Sequence, residues 1–344
     1  MPAQMEEKTE MQIVTRAFNG IKKNYMIALI DIVLIIFLMI SFPQHFLHEY
    51  NWDSLQTSIA PIAIIAVGMM VLLISGNFDL SVGSNMNLSA FITTMMVGSG
   101  ENVFVAVLAG LLVGAIIGIA NGLLVAYANV NPLITTIGMM YIVKGLADVL
   151  NTGRLLGGTG QGLYSQIVDL PEEFTSLGTK TFGTVYGTFI LMLVLGIVTT
   201  IFLAKTTTGR NFYYLGGNPE AAKQMGIKTK ALVLGGYIFT GVLAALSGIL
   251  STARLQSASR NLGLNTHLTV LISCIIGGGS MRGGKGRIFG AILGAVFSSL
   301  LTNMFNLFEV NTLWQRVVMG AVLVSVVFID GFFAMVEQRK LGKI

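Results

Sequence analysis

Apolar stretches separated by short polar ones run the length of this chain, and that pattern ties it to a membrane. Ten such stretches read at roughly 26–43, 57–75, 81–98, 103–126, 132–151, 186–204, 231–252, 266–279, 287–308 and 313–333. A helix needs about 20 apolar residues to cross a bilayer. Several of these fall short, 266–279 most of all, and short crossings are tolerated where broken helices line a protected cavity. Charged residues make up 11% of the sequence and apolar ones 53%, against roughly a quarter charged in soluble domains. An ordinary water-soluble fold is therefore excluded. The expected class is an all-α polytopic membrane protein of about ten transmembrane helices, some of them broken.

The distribution of Lys and Arg sets the expected orientation. Lys205, Arg210, Lys223, Lys228, Lys230, Arg282, Lys285 and Arg287 fall on one side, together with the basic residues of both termini. The other side receives only Lys144, Arg154, Lys180, Arg254, Arg260 and Arg316. A cytoplasmic tail over 1–25, a transmembrane domain over 26–335 and a cytoplasmic tail over 336–344 are expected, with the 205–230 loop in the cytoplasm. The longest outer loop, about 152–185, carries Asp169, Glu172 and Glu173. The net charge of +5 is scattered over separate loops, which is not a nucleic-acid footprint. About 25 mostly polar residues precede the first apolar stretch and no small-residue cleavage site follows it, so uncleaved insertion is expected. The single cysteine, Cys274, lies in an apolar run and reads as a packing residue.

An internal repeat supports the count of crossings. Gly110, Gly114, Gly118 and Gly122 recur every four residues, as do Gly286, Gly290, Gly294 and Ser298. GAIIG at 114–118 matches GAILG at 290–294, and Val130-Asn131 matches Val310-Asn311. Small residues four apart let helices approach closely in lipid. Two such faces five crossings apart predict duplicated halves, about 26–151 and 186–335, and an odd number of crossings per half makes them inverted.

The longest strongly polar segment between two apolar stretches is 206–230, TTTGRNFYYLGGNPEAAKQMGIKTK. Asn218 followed by Pro219 predicts a capped helix start. Glu220 in the first turn suits the helix dipole, and Gly226 ends the turn. Such a helix, held between two crossings, is built to be gripped from outside the membrane.

Three further places bear on function. Residues 75–84 read SGNFDLSVGS, with Asp79 between two crossings. Two readings of Asp79 stand: it caps the following helix, or it helps gate a pathway at a broken-helix junction. Residues 277–287, GGGSMRGGKGR, contain Gly-x4-Gly-Lys from Gly279 to Lys285, but the match is one residue short of a phosphate loop, because Gly286 follows where Ser or Thr is needed. A basic Gly-rich turn is the better account. Within the membrane, Lys144 and Asp148 are four apart and can pair on one helical face, and Asp31 lies early enough in the first stretch to sit at the interface. His267 alone is no ligand set. No catalytic, cofactor-binding or metal residues are expected, since no nucleophile has a base partner and no His, Cys and carboxylate cluster has metal spacing.

The spacing Glu220-Ala221-Ala222-x3-Gly226 resembles the coupling motif of ABC importer permeases. With GNFDLSVGS and GGGSMRGGKGRIFGA in the family's order, the chain resembles a ribose-type (monosaccharide) ABC importer permease from about residue 55 to 333. The resemblance implies a bacterial inner-membrane subunit that does not itself hydrolyse ATP. The implied partners are an ABC ATPase with two nucleotide domains, a periplasmic or lipid-anchored sugar-binding protein and a second permease copy, alike or unlike. It implies ATPase coupling through Gly217, Asn218, Pro219, Glu220, Ala221, Ala222 and Gly226. Pathway or gate candidates are Asn77, Asp79, Ser81, Gly83, Asn131, His267 and Thr269. Where relatives usually carry Glu-Leu-Asp, this chain has His267-Leu268-Thr269, which leaves the substrate open. An ion-coupled secondary transporter, with Asp31, Asp79 or Asp148 as its buried carboxylate, and a channel-like subunit are the rival readings.

Overall fold

The computed structural model describes residues 26–151 and 170–340. The expected tail 1–25, residues 152–169 of the long outer loop with Arg154 and Asp169, and residues 341–344 lie outside the described residues. Helices α1 (Met26–Ser41), α2 (Pro43–Phe46), α3 (Glu49–Ile74), α4 (Val82–Gly98), α5 (Val103–Ala126) and α6 (Pro132–Asn151) come first. A one-turn α7 (Glu172–Thr175) then leads into a two-stranded antiparallel ladder, β1 (Lys180–Phe182) and β2 (Val185–Tyr186). The rest is α8 (Gly187–Lys205), α9 (Thr207–Gly217), α10 (Pro219–Gln224), α11 (Thr229–Leu255), α12 (Thr266–Ile276), α13 (Ile288–Leu307) and α14 (Thr312–Lys340).

The chain is thus nearly all helical. A helix lies on each of the ten apolar stretches. Among the described residues, α3, α5, α6, α8, α11 and α13 are long and apolar enough to cross a bilayer, while α1 and α12 are shorter. Large apolar side chains such as Ile40, Phe104, Ile116, Ile134 and Ile201 point outward, the arrangement that suits lipid and not water.

α3 is the axis of the bundle. From Ile59 to Ile74 nearly every residue is buried, and α11, α13, α8 and α12 pack around it. The glycine face of α5 seats α11: Gly114 and Gly241 approach so closely that a Cβ on either would strike the other's carbonyl, and Gly118 lies against Tyr237. Asn85 of α4 donates from Nδ2 to the carbonyls of Gly114 (3.3 Å) and Gly241 (3.2 Å), tying three helices at that crossing. The second glycine face does related work on other partners, with Gly290 and Gly294 of α13 pressed on Gly277 and Ser273 at the end of α12.

Two expectations are corrected, and Asp31 adds a finding. Lys144 and Asp148 do not pair; the Asp148 carboxylate takes Arg260 Nε at 2.8 Å instead. Asp31 is buried, and neither of its oxygens has a hydrogen-bond partner among the described residues. Residues 207–217, read as loop, form α9. Cys274 is buried and free, its thiol 3.4 Å from the Ala66 carbonyl, which is the packing role expected.

Candidate functional site

The polar segment folds as two helices. Thr206 starts α9 by accepting the Gly209 N–H at 2.9 Å. α9 buries Phe212, Leu215 and Gly216 and exposes its opposite side. Asn218 closes α9 and starts α10, accepting the Ala221 N–H at 3.1 Å with Pro219 in the first turn. At the far end Gly226 takes φ +77°, the left-handed conformation that glycine adopts without cost. Its N–H bonds the Lys223 carbonyl, and the Ile227 N–H reaches back to Ala222 at 3.1 Å. Both are bonds of a Schellman cap. Ala222 faces inward, while Glu220 and Met225 are exposed. Glu220 forms no salt bridge among the described residues.

The two helices are fastened to the membrane domain through backbone. Gly216 lies against the Ile74 carbonyl and the Gly284 amide. The Gly284 N–H donates to that same Ile74 carbonyl at 2.8 Å, and Tyr213 Oη donates to the Gly286 carbonyl at 3.1 Å. The Gly-rich turn 277–287 is therefore a clamp between α9 and the last residue of α3. Sequence reasoning missed it, because its contacts are backbone approaches that only the fold brings together.

Immediately after Ile74 the chain turns back into the bundle. Asn77 makes a local turn with Ser75. Asp79 is fully buried. Its Oδ1 accepts the Ser81 N–H at 2.7 Å and the Ser81 hydroxyl at 2.6 Å. Asn121 of α5 donates to both Asp79 oxygens (3.4 and 3.3 Å) and to Ser81 Oγ (2.9 Å). Tyr237 of α11 donates its hydroxyl to the Phe78 carbonyl at 3.0 Å. Among the described residues no cation pairs with Asp79. Asn121 and Tyr237 were not singled out from the sequence, since each lies in an apolar run that reads as helix packing.

Gly83, in the first turn of α4, abuts Gly263 and approaches the His267 amide. His267 and Thr269 lie in the first turn of α12. Asn131 stands apart: it caps α6 by accepting the Leu133 N–H at 2.8 Å and takes no hydrogen bond from the Asp79 group.

A cavity of about 280 Å³ lies on the other side of this junction, between α3, α11 and residues 261–266. Thr57, Ser58, Ser251, Arg254 and Thr266 line it, with Pro61 in its wall. Pro61 has no N–H, so it cannot take the Thr57 carbonyl as a helix normally would. Ser58 and Ser251 spend their hydroxyl protons on carbonyls of their own helices, both at 2.7 Å. Arg254 is the one charge in the lining and a donor, and Asn261 adds an amide that both donates and accepts. The lining therefore offers both donors and acceptors to a small polar solute.

The family described as branched-chain amino acid transport system / permease component matches residues 51–327. The chain belongs to this family. The permease is 32% identical over 331 residues, 92% of its own length and 96% of the relative's, to the galactose/methyl galactoside import permease protein MglC of Haemophilus influenzae. It is 30% identical over 312 residues to the autoinducer 2 import system permease protein LsrC of Photorhabdus luminescens, covering 90% of the permease and 91% of that relative. A solved structure of a metal-chelate type ABC transporter in an inward-facing conformation is similar over 83% of the permease and 90% of its own chain, with a TM-score of 0.47 and 18% identity. The family match runs from α3 into α14 and so takes in α9 and α10, the Asp79 group and the cavity.

Proposed function

We propose that this permease is the membrane-spanning subunit of an ABC importer, taking up a monosaccharide or a similarly small polyhydroxylated solute with ATP hydrolysed on a separate ATPase. The observation that carries the reading is the α9–α10 unit. It presents an unpaired Glu220 and an exposed Met225 outward while its other side is clamped to the end of α3. A rigid knob of this kind has a use only if something outside the membrane grips it. The occupant is an ATPase carrying two nucleotide domains, gripping through Gly217, Asn218, Pro219, Glu220, Ala221, Ala222 and Gly226. Motion of the knob reaches Ile74 and then the 75–81 linker, where Asp79 and Ser81 hold the linker to α5. Asn77, Gly83, His267 and Thr269 belong to the same junction, while Asn131 caps the inner end of α6 apart from it.

The reading includes ten crossings in two inverted halves. The same spacing, 180 residues, separates Gly83 from Gly263, Asn129 from Glu309 and Asn131 from Asn311. Asn129 and Glu309 are both left-handed (φ 55° and 53°). Asn131 and Asn311 both cap the next helix by accepting the N–H two residues on, at 2.8 and 2.9 Å. Both termini and the 205–230 segment face the cytoplasm of a bacterium in this scheme. A sugar-binding protein delivers solute to the opposite face, and a second permease copy, alike or unlike, completes the pathway. The cavity lined by Thr, Ser, Asn and Arg side chains and the sugar named for the MglC relative favour a sugar. The permease itself performs no hydrolysis.

The test is reconstitution with the cognate ATPase and binding protein. Glu220→Lys is expected to lose co-purification with the ATPase, and Glu220→Lys and Gly226→Trp both to abolish ATP-driven uptake, with normal membrane insertion. Charge-assisted contacts contribute about 1.5–3 kcal/mol, so losing one from each of two copies should weaken docking by about tenfold or more. Uptake that survives Glu220→Lys, or runs on an ion gradient without ATP, would point to a secondary transporter instead.

A further inference from the structure

A second and larger cavity, about 560 Å³, opens between the end of α8, α9 and the start of α13. Its walls carry two distinct chemistries. Leu203 and Phe289 are apolar, with Thr200 beside them; Arg210 and Arg287 stand at its rim with Tyr214. Neither guanidinium has a carboxylate partner among the described residues. Tyr213, which the clamp uses, lines the groove as well, but neither arginine has a part in the transport reading.

Depth decides what fits. α8 has 19 residues, and at 1.5 Å per residue that is about 28 Å, close to the roughly 30 Å of bilayer hydrocarbon. The helix has no length to spare, so its last turns, with Thr200 and Leu203, lie within the hydrocarbon edge. At the deep end Gly196 of α8 presses on Ile292 of α13, and the two helices part toward α9. An ATPase working in water reaches the arginines but not this floor. A molecule filling both ends must itself straddle the membrane surface.

We infer that this groove is a binding site for an anionic phospholipid, its phosphate held by Arg210 and Arg287 and an acyl chain laid along the exposed Ala204 and Phe289. Guanidinium groups recognise phosphate oxygens in paired geometry, and basic pockets between membrane helices hold anionic headgroups. The orientation proposed above decides only which leaflet supplies the lipid; the site stands without it.

The full chain, purified in mild detergent from membranes holding both lipid types, is expected to retain phosphatidylglycerol in preference to phosphatidylethanolamine, read by mass spectrometry of extracted lipid. Arg210→Gln and Arg287→Gln should each lower retained phosphatidylglycerol about fivefold, and the double variant about thirtyfold. Ala204→Trp, at an exposed position of the lining, fills the groove, leaves both charges and should lose lipid as well. Arg282→Gln, on the same basic face but outside the groove, should retain it. Full retention by the double variant overturns the site. So does equal loss in Arg282→Gln, which would reduce the effect to general surface charge. Thermal stabilisation by inorganic phosphate as strong as that by phosphatidylglycerol, or displacement of the lipid by added ATPase, also overturns it.

Discussion

Gly83 and Gly263 meet backbone to backbone: a Cβ on either would run into the carbonyl oxygen of the other. Gly83 opens α4, and Gly263 stands just before α12 with φ +77°. Two short helices thus begin at one point inside the bundle, reached by linkers from α3 and α11. Backbone cannot move aside as a flexible side chain can. Gly83→Ala and Gly263→Ala are each expected to destabilise by about 1–3 kcal/mol, with Gly263→Ala worse by a further ~1–2 kcal/mol for its left-handed backbone. Gly145 provides the opposite sign, since nothing lies within 4 Å of its Cβ position. In the middle of α6, Gly145→Ala should stabilise by up to about 1 kcal/mol. Melting temperatures in detergent check all three, and equal shifts at 83 and 145 would remove the close contact from the account.

Asp79 separates capping from gating. Its carboxylate holds the Ser81 amide and hydroxyl and the Asn121 amide. Asp79→Ala strands those donors, at about 1–3 kcal/mol for each left unpaired. Asp79→Asn keeps the shape and one acceptor oxygen. The expected outcome is a melting temperature near wild type with a clear fall in sugar uptake. If uptake stays at wild-type level in Asp79→Asn, the residue is a cap and the gating role is lost.

The sequence made some of this legible and hid the rest for a physical reason. Asn218, Pro219 and Gly226 announced α10, because capping is local chemistry and needs no tertiary context. The apolar stretches located the helices for the same reason. α9 was hidden because Gly209, Gly216 and Gly217 read as breakers, yet two of these glycines are there for space. Gly209 sits on Phe202 and Leu203, and Gly216 on Ile74 and Gly284. Lys144 and Asp148 illustrate the other limit. Their spacing permits a pair, but Arg260 arrives from 112 residues away in sequence and takes the carboxylate. Asn121, buried beside Asp79, gave no signal in a run of Gly, Ile, Ala and Leu.

Orientation is checked by thiol labelling. Ser176 and Asn218 are both exposed and lie at opposite ends of α8 and α9. In a Cys274→Ala background, which removes a buried thiol and little else, an impermeant reagent added to intact cells should label Ser176→Cys and leave Asn218→Cys unreacted until the cells are opened. The β1–β2 ladder should hold the outer end firm. Lys180 sits between Glu49 (2.8 Å) and Asp53 (2.9 Å), and its hydrogen bonds to them hold its ammonium above the ordinary lysine range. The reverse labelling pattern would invert the proposed topology and with it the assignment of α10 to the ATPase.

The clamp between α9 and α3 makes a prediction that docking alone does not. Gly284 takes φ +72°, and its N–H holds the Ile74 carbonyl that Gly216 also touches. A side chain at either glycine must push the α9–α10 unit away from α3, while the outward side with Glu220 is untouched. Gly216→Ala and Gly284→Ala should therefore keep the ATPase bound and still lose transport, leaving ATP hydrolysis without uptake. Glu220→Lys should lose both together. Tyr213→Phe removes only the bond to the Gly286 carbonyl, an interaction of about 0.5–1.5 kcal/mol, so a partial fall in uptake with docking intact is expected there. The measurement is the ratio of solute imported to ATP hydrolysed in reconstituted vesicles. A ratio unchanged in both glycine variants would mean that force reaches the membrane helices by another route, through α8 or α11 at the ends of the segment.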